Sequence, residues 1–303
     1  MKTYRFEGIY PMLYAFFASS GELDREATKR QVEACIAAGS HGLAIGGLAT
    51  ECNKLSTAEK RHLNEWVLAD AAGRVPVSVT ITESTVGGQI EMVNAVADAG
   101  ADWVVLQPPP VKSASEEQLI EFFGCVADAS PVPVGIQNAP QFIGIGLSDA
   151  GLIELNRRHP NVSILKAEGE AILSGKLAEA SAGAFELFNG RNGVDLIDTL
   201  RAGFAGVIPS PDAADIEVQI YNLYRAGKID EAERAFKDIL PLLTFLMISL
   251  EHLMCYGKRL TARRIGLKQV YDRTPAQAPT AFGLEVLQHW SRDLGTLGAQ
   301  PAE

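Results

Sequence analysis

Eight short apolar runs recur along the chain, and segments with helix signals separate them. A run that is apolar throughout is typical of a parallel strand, because both faces of such a strand are buried. Eight strands alternating with eight helices predict an α/β fold, a (β/α)8 TIM barrel. The predicted strands are 7–10, 42–47, 76–82, 102–107, 132–138, 162–168, 184–190 and 206–210.

An open, doubly wound sheet is the structural alternative to the barrel. No GxGxxG motif follows the first predicted strand, which weakens a dinucleotide-binding version of that alternative. We therefore predict a barrel over residues 1–226 and a C-terminal helical extension over residues 227–303, packed on the barrel or on a partner subunit.

Capping residues mark where several helices begin. Ser56 and Ser115 each open a capping-box pattern, Asp24 is a plausible N-cap of a helix that Gly39 ends, and residues 85–99 form a further helix. The extension is predicted to hold three helices, over residues 229–250, around 261–271 and over 280–294.

Composition excludes several classes of function. The formal net charge is −10 and the pI is about 5.1, so net charge suggests neither a nucleic-acid nor a membrane partner. The amino terminus lacks the apolar core of a signal peptide, and the longest apolar stretch, 240–250, is too short to span a bilayer. We expect a cytoplasmic protein.

The cysteines do not indicate a metal site, because they show no CxxC spacing and no histidine cluster accompanies them. We expect reduced thiols at all four positions, Cys35, Cys52, Cys125 and Cys255.

The ends of the predicted strands hold the candidate catalytic residues, because barrel active sites lie at the C-terminal ends of the strands. Lys166 stands near the end of the sixth run, and burial favours the neutral amine, which can attack a ketone and form a Schiff base. Glu168 lies two residues on, where a continued strand would turn it to the same face, and a base there could deprotonate the carbon beside the imine. The alternatives are a lysine that reaches water and a glutamate that caps the next helix.

Other strand ends supply candidate binding residues. Gln137, at the end of strand 5, could orient a carbonyl or hydroxyl, although it could equally be a satisfied polar core residue. The loop after strand 2 precedes a helix, so its amides could hold a carboxylate. Glycines permit close backbone approach to a ligand or serve only as turns. The candidate substrate-binding residues are Gly47, Leu48, Ala49, Thr50, Asn189, Gly190 and Ser210.

Taken together, these motifs resemble the dihydrodipicolinate synthase / N-acetylneuraminate lyase family of Schiff-base barrels, over residues 8–294. The resemblance rests on a GxxxE turn at 47–51, a turn similar to YNxP at 137–140, the strand-6 lysine and the segment 203–210. It implies that Lys166 is the Schiff-base lysine and that the loop 47–51 binds the carboxylate of a 2-oxo acid. Family members are commonly dimers of dimers, so the resemblance also implies a homo-oligomer, dimer or tetramer.

Several positions depart from the usual family pattern. Leu48 and Ala49 replace paired threonines, Gln137 replaces a tyrosine, and Pro109 and Pro110 replace a tyrosine pair after strand 4. Gln141 and Phe142 stand near the place of the arginine that follows YNxP. The usual hydroxyl proton relay is therefore missing, which disfavours lysine biosynthesis and N-acetylneuraminate cleavage.

One branch of the family, the 2-keto-3-deoxy-L-arabonate dehydratases, is similar at two positions. It places glutamine at the head of the strand-5 turn, as Gln137 is here, and glutamate two residues after the lysine, as Glu168 is here. The resemblance implies a cofactor-free dehydratase of a 2-keto-3-deoxy sugar acid that works through a covalent imine on Lys166 and binds no metal. The alternatives are a pyruvate-dependent aldolase, a non-catalytic sugar-acid-binding barrel and a metal-dependent lyase, the last without a supporting cluster.

Overall fold

The computed structural model of the 303-residue chain describes residues 6–299. Residues 1–5 and 300–303 are not described, so most of the amino-terminal segment judged to lack a signal peptide lies outside the described residues.

Eight parallel strands form the barrel that the sequence predicts. They pair in the order β1-β8-β7-β6-β5-β4-β3-β2, and a parallel bridge between Met12 and Ala44 closes the ring between β1 and β2. The strands are β1 (Gly8–Ile9), β2 (Leu43–Ile45), β3 (Val77–Ile81), β4 (Trp103–Leu106), β5 (Val134–Asn138), β6 (Val162–Ala167), β7 (Glu186–Asn189) and β8 (Gly206–Val207).

Helices follow the strands and cover the outside of the barrel. Those within the barrel region are α1 (Arg25–Ala37), α2 (Thr57–Ala71), α3 (Val86–Asp98), α4 (Glu116–Ala129), α5 (Pro140–Ile143), α6 (Asp149–Arg158), α7 (Ala171–Ser181), α8 (Leu196–Arg201) and α9 (Ala214–Arg225). The extension contains α10 (Ile229–Leu246), α11 (Leu250–His252), α12 (Lys258–Arg264) and α13 (Ala281–Trp290), and a π-helical turn, Leu253–Gly257, joins α11 to α12.

The predicted caps are confirmed. Asp24 accepts a hydrogen bond from the Ala27 amide, and complete capping boxes start α2 at Ser56 and α4 at Ser115. Thr85 caps α3 by accepting from the Gly88 amide. Each cap satisfies an amide that has no partner within its helix.

The extension differs from the prediction in two places. The first helix ends at Leu246 rather than at residue 250, and Ser249 then caps α11. The helix predicted around 261–271 was wrong, because α12 ends at Arg264. Gly266 there has φ +76°, and the Leu267 amide donates to the Ala262 carbonyl, which is a Schellman ending.

Aromatic side chains fill part of the barrel core. Trp103 is fully buried and stacks with Phe6 and Phe188, with ring centroids 5.5 Å apart in both pairs, while Tyr10 meets it edge-on. These rings make the barrel interior a packed core, and in such barrels the site lies at the C-terminal ends of the strands.

No single helix among residues 6–299 is long and apolar enough to cross a membrane. One bent pair, Ile229–Leu246 with Leu250–Arg264, reaches that length and composition only when joined, across a bend of 102°.

Candidate active site

Strands β5 and β6 place Gln137 and Lys166 side by side, because these two residues are direct partners in the strand register. The Lys166 side chain is only 5% exposed, and its Nζ lies 2.9 Å from Oε1 of Glu168. Gln137 Nε2 donates to the same oxygen at 2.8 Å. The three predicted catalytic residues therefore form one buried hydrogen-bonded group.

Glu168 reaches Lys166 although β6 ends one residue earlier, at Ala167. Its amide donates to the Asn138 carbonyl at 3.2 Å, and Gln141 donates to its carbonyl oxygen, so both neighbours hold the chain in place just past the strand. The alternative role as a helix cap does not apply, because α7 begins at Ala171 with Glu170 as its N-cap.

The electrostatic environment keeps Glu168 ionised. Burial raises the pKa of Glu168, but the charge of Lys166, hydrogen bonds from Lys166 and Gln137 and the Arg191 amide together outweigh burial, so the pKa lies below its ordinary value. A carboxylate that is ionised at neutral pH and touches the amine can accept a proton from it.

The turn after β7 is shaped around Glu168. A Cβ added at Gly190 would lie 2.7 Å from Cδ of Glu168, so only glycine fits without moving the carboxylate. Arg191 and Asn192 follow with φ of 49° and 51°, two consecutive left-handed residues. Such conformations are costly for residues other than glycine and persist where the surroundings impose them.

A narrow cavity, here called the catalytic cavity, lies at the C-terminal ends of the strands and has about 30 Å³ of space. Its walls come from the barrel and from the extension together. They are Met12, Leu48, Ala49, Lys166, Glu168, Gly190, Arg191, Asn192, Ile208, Pro209, Ser210, Met247, Leu250 and Leu253.

The loop after β2 presents only part of the predicted carboxylate site to this cavity. The amides of Thr50 and Glu51 donate to carbonyls within the turn, and the Thr50 hydroxyl bridges the Gly46 amide and the Leu13 carbonyl. Gly47 packs against Met12, and the Gly47 amide nitrogen lies 3.3 Å from the Met12 sulfur. Within the described chain, the Leu48 and Ala49 amides are the ones in this turn that have no partner.

The same loop is tied to the extension by buried charges. Lys258 of α12 donates to Glu51 Oε1, and both side chains are at most 2% exposed. Lys54 Nζ lies 2.5 Å from Glu51 Oε2. Burial lowers the pKa of Lys258 and outweighs the attraction of Glu51. The Glu51 backbone itself is left-handed, with φ 60°.

The remaining predicted binding residues fall in different places. Ser210 lines the catalytic cavity, whereas Asn189 does not. The Asn189 amide group donates to Gly169 and Ser174, and its carbonyl oxygen accepts from Gly190. Asn189 thus joins the loops after β6 and β7.

Sequence reasoning missed the residues that the extension contributes, Met247, Leu250 and Leu253. It also missed Tyr14 and Asp212, which lie behind Ser210. Asp212 could have been noticed as an acidic residue two positions after Ser210, but its partner Tyr14 is 198 residues away in the chain.

A second, larger cavity adjoins the first. This outer cavity measures about 770 Å³ and shares Leu48 and Leu250 with the catalytic cavity. Phe142, Met254 and Pro275 give it apolar walls, and Asn53 and Gln277 give it amide groups. Among residues 6–299, no group of three or more His, Cys, Asp or Glu side chains could hold a metal ion.

The chain is thus a (β/α)8 barrel in which a buried lysine at the end of β6 is hydrogen-bonded to a carboxylate. Comparison with known proteins gives the family of this barrel. The sequence model of the Dihydrodipicolinate synthetase family matches residues 5–280. The chain belongs to this family of Schiff-base aldolases and lyases, and the predicted resemblance is confirmed.

Individual relatives carry different activities. L-2-keto-3-deoxyarabonate dehydratase of Azospirillum brasilense is 31% identical over 80% of each chain. The 4-hydroxy-tetrahydrodipicolinate synthase of Exiguobacterium sibiricum is 30% identical over 80% of this chain and 83% of that one. The fold is similar to that of YagE from Escherichia coli K12, solved in complex with pyruvate, with a TM-score of 0.86, 24% identity, and 95% of this chain and 98% of that chain covered.

Proposed function

We propose that the protein dehydrates a small 2-keto-3-deoxy sugar acid, such as 2-keto-3-deoxy-L-arabonate, and releases an oxo-acid semialdehyde. The observation that carries the proposal is the buried contact of 2.9 Å between Lys166 Nζ and Glu168 Oε1, with Gln137 on the same oxygen. This group supplies a nucleophile and a base, and the reaction then needs no cofactor beyond the covalent imine on Lys166.

Imine formation comes first. Glu168 accepts a proton from Lys166 across their hydrogen bond, and the neutral amine attacks C2 of the substrate. Glu168 then returns that proton to the hydroxyl of the adduct, which leaves as water. The product is an iminium, whose positive charge makes the C3 protons acidic, and Glu168 is ionised again. Because Glu168 is ionised and already touches the nitrogen, it lies beside C3 once the imine has formed.

Proton removal follows. Glu168 takes a C3 proton, and the electrons move into the C2–N system as an enamine. The enamine then expels the C4 hydroxyl, which takes up a proton from an acid in the site and leaves as water. Tautomerisation and hydrolysis of the imine release the product. Gln137 Oε1 is buried and has no hydrogen-bond partner among residues 6–299, so it is free to accept a substrate hydroxyl and orient it.

The two cavities suit the two ends of such a substrate. The Leu48 and Ala49 amides face no other partner and would hold the carboxylate, as backbone amides hold anions elsewhere. The catalytic cavity is narrow, so the distal hydroxyls would extend past Leu48 and Leu250 into the outer cavity.

Retro-aldol cleavage to pyruvate would use the same iminium but needs a base at the C4 hydroxyl. Gln137 stands where the resemblance leads us to expect a tyrosine, and an amide cannot act as that base at neutral pH. Dehydration is therefore favoured over cleavage. We also propose a homo-oligomer, dimer or tetramer, on the family resemblance alone.

Borohydride trapping with intact-protein mass spectrometry tests the proposal, using pyruvate and a panel of 2-keto-3-deoxy acids. We expect a reduced adduct on Lys166, with the mass of the dehydrated acid when the sugar acid is used. A three-carbon adduct from a longer acid would identify an aldolase instead. Adduct formation without any turnover would identify a binding protein.

Lys258 provides the internal control, because it is the other lysine among residues 6–299 that is almost fully buried. Peptide mapping should find the adduct on Lys166 and leave Lys258 unmodified. Lys166→Ala should lose the adduct and all turnover. Appreciable turnover by that variant would refute imine catalysis at Lys166.

A further inference from the structure

Ser210 lines the catalytic cavity with Lys166 and Glu168, and behind it lies a buried polar group that the proposed reaction does not yet use. The group consists of Asn192, Asp212 and Tyr14, each at most 3% exposed. The Ser210 hydroxyl contacts Asn192 Oδ1 at 2.5 Å and also contacts Asp212 Oδ1. Tyr14 donates to the same Asp212 oxygen at 3.2 Å.

Counting protons in this group indicates that Asp212 is neutral. The Ser210 amide donates to Asn192 Oδ1 at 2.8 Å, and Asn192 Nδ2 faces Asp212 Oδ2 at 3.2 Å, which orients the asparagine. The Ser210 oxygen therefore lies between two acceptor oxygens but carries a single proton. A second proton, carried by Asp212 and donated to Ser210, satisfies both contacts.

The charges around Asp212 support the same state. No cation among residues 6–299 contacts the Asp212 carboxyl group. Arg264 lies nearby, but it donates to the main-chain carbonyl of Asp212 and forms its ion pair with Asp215. Glu217, also fully buried, adds a neighbouring acid. Burial raises the pKa of Asp212, and its hydrogen bonds with Ser210, Asn192 and Tyr14 only partly offset that effect.

Dehydration needs an acid as well as a base. If the hydroxyl leaves while the C3 proton is being removed, Glu168 is still taking up that proton and cannot give one to the hydroxyl in the same step. The buried carboxyl of Asp212, which lies behind Ser210, has the complementary property. Pairs of carboxyl groups with opposite environments commonly divide the acid and base roles.

We propose that Asp212 supplies, through the Ser210 hydroxyl, the proton on which the C4 hydroxyl leaves as water. Ser210 gives its proton to the C4 oxygen as the C4–O bond breaks, and the Asp212 proton moves to Ser210 Oγ. Glu168 has meanwhile gained the C3 proton, so the overall charge is unchanged. Exchange with solvent then returns Glu168 and Asp212 to their starting states. This inference rests on the proposed function.

The experiment separates the acid step from the base step. Two substrates differ only in the leaving group, 4-hydroxy-2-oxopentanoate and 4-fluoro-2-oxopentanoate, and fluoride needs far less protonation to leave. Deuterium exchange at C3, followed by NMR, reports the imine and the base alone. Wild-type protein and Asp212→Asn are compared in all three measurements.

We expect Asp212→Asn to lower loss of the hydroxyl about 100-fold, the lower range for general acid catalysis. Fluoride loss and C3 exchange should stay within about twofold of wild type. An equal loss in all three measurements would indicate a structural role and overturn the proposal, and so would an unchanged rate of hydroxyl loss.

Two further variants keep the result decisive. Ser210→Ala should reproduce the selective defect, and it decides the question if Asp212→Asn does not fold. Asp102→Asn is the matched control. Asp102 is a half-buried acid at the opposite end of the barrel, where it accepts a hydrogen bond from the Val77 amide, so this variant should lose the substrate hydroxyl at the wild-type rate.

If the wild-type protein neither forms the imine nor exchanges the C3 protons, the proposed function fails. If both occur and Asp212→Asn shows no selective defect, only the present inference fails.

Discussion

The Lys258 ammonium donates a hydrogen bond to the Glu51 carboxylate, although 207 residues separate them in the chain. Lys258 belongs to α12 of the extension, and Glu51 ends the β2 loop whose Leu48 and Ala49 line the catalytic cavity. The contact therefore makes the C-terminal extension a support of the site and not only a cover for the barrel.

Removing Lys258 should weaken both the fold and the loop. Lys258→Met keeps most of the buried volume but leaves Glu51 with Lys54 alone, so we expect a loss of about 3 kcal/mol in the free energy of unfolding. The pyruvate concentration needed for half-maximal trapping should rise roughly tenfold, because small displacements of positioning groups are costly. Denaturant titration and borohydride trapping measure the two effects.

Lys54→Met is the control for that variant. Its ammonium contacts the other oxygen of Glu51 but is 13% exposed, so water can replace it and the loss should be smaller. Equal losses in the two variants would mean that burial of Lys258 confers no special importance.

Replacing Glu168 with glutamine should separate imine formation from proton removal. Glu168→Gln removes the carboxylate but keeps a side chain of the same size beside Lys166, so the adduct trapped at equilibrium should persist. Deuterium exchange at C3 should slow by about 100-fold or more, because the base is gone. Exchange at the wild-type rate would assign the base role to another group.

Adding one methyl group at Gly190 should displace the Glu168 carboxylate while residue 168 itself stays unchanged. The Cβ of Gly190→Ala would lie 2.7 Å from Cδ of Glu168, so the carboxylate must move away from Lys166. We expect slower C3 exchange and a loss of about 1–3 kcal/mol in the free energy of unfolding. NMR exchange and thermal unfolding measure the two effects.

Gly175→Ala is the matched substitution for that test. Gly175 lies inside α7, and an added Cβ there meets no atom within 4 Å. The alanine should leave C3 exchange unchanged and raise the free energy of unfolding by about 0.5–1 kcal/mol, since glycine weakens helix interiors. Slower exchange in both variants would show that position 190 has no specific effect.

The free energy of unfolding should fall in acid, and protonation of Glu59 should cause part of that fall. Hydrogen bonding from Arg273 is the main cause that lowers the pKa of Glu59 from 4.5 to about 2, and the capping box at Ser56 adds to it. Because the pKa of Glu59 is lower in the folded chain than in the unfolded chain, the unfolded chain binds more protons between pH 4.5 and about 2. This stabilisation is complete above pH 4.5 and is lost as the pH falls through 2.

Glu59→Gln should remove that part of the pH dependence. Denaturant titrations at pH 6 and pH 3 should differ less for the variant than for wild type, by on the order of 1 kcal/mol after allowance for solvent screening. Glu65→Gln, at an exposed position on the same helix, is the control and should behave like wild type. An unchanged pH dependence in Glu59→Gln would show that other carboxylates cause the acid loss.

Local sequence was enough to predict the barrel and its central residues. Hydrophobic runs and caps act over a few residues, so all eight strands and the helix starts at Asp24, Ser56 and Ser115 could be read directly. Lys166 and Glu168 were found together because they lie two residues apart. The helix predicted around 261–271 was wrong because one left-handed glycine, Gly266, ended it.

Contacts between distant segments could be decided only by the tertiary structure. The strand register sets Gln137 beside Lys166, and the closed ring brings Tyr14 to Asp212 and Lys258 to Glu51. The sequence by itself therefore determined the architecture and marked Lys166 as the predicted imine-forming lysine. The folded chain decided which side chains surround Lys166 and Asp212, because burial and neighbouring charges depend on residues that meet only in three dimensions.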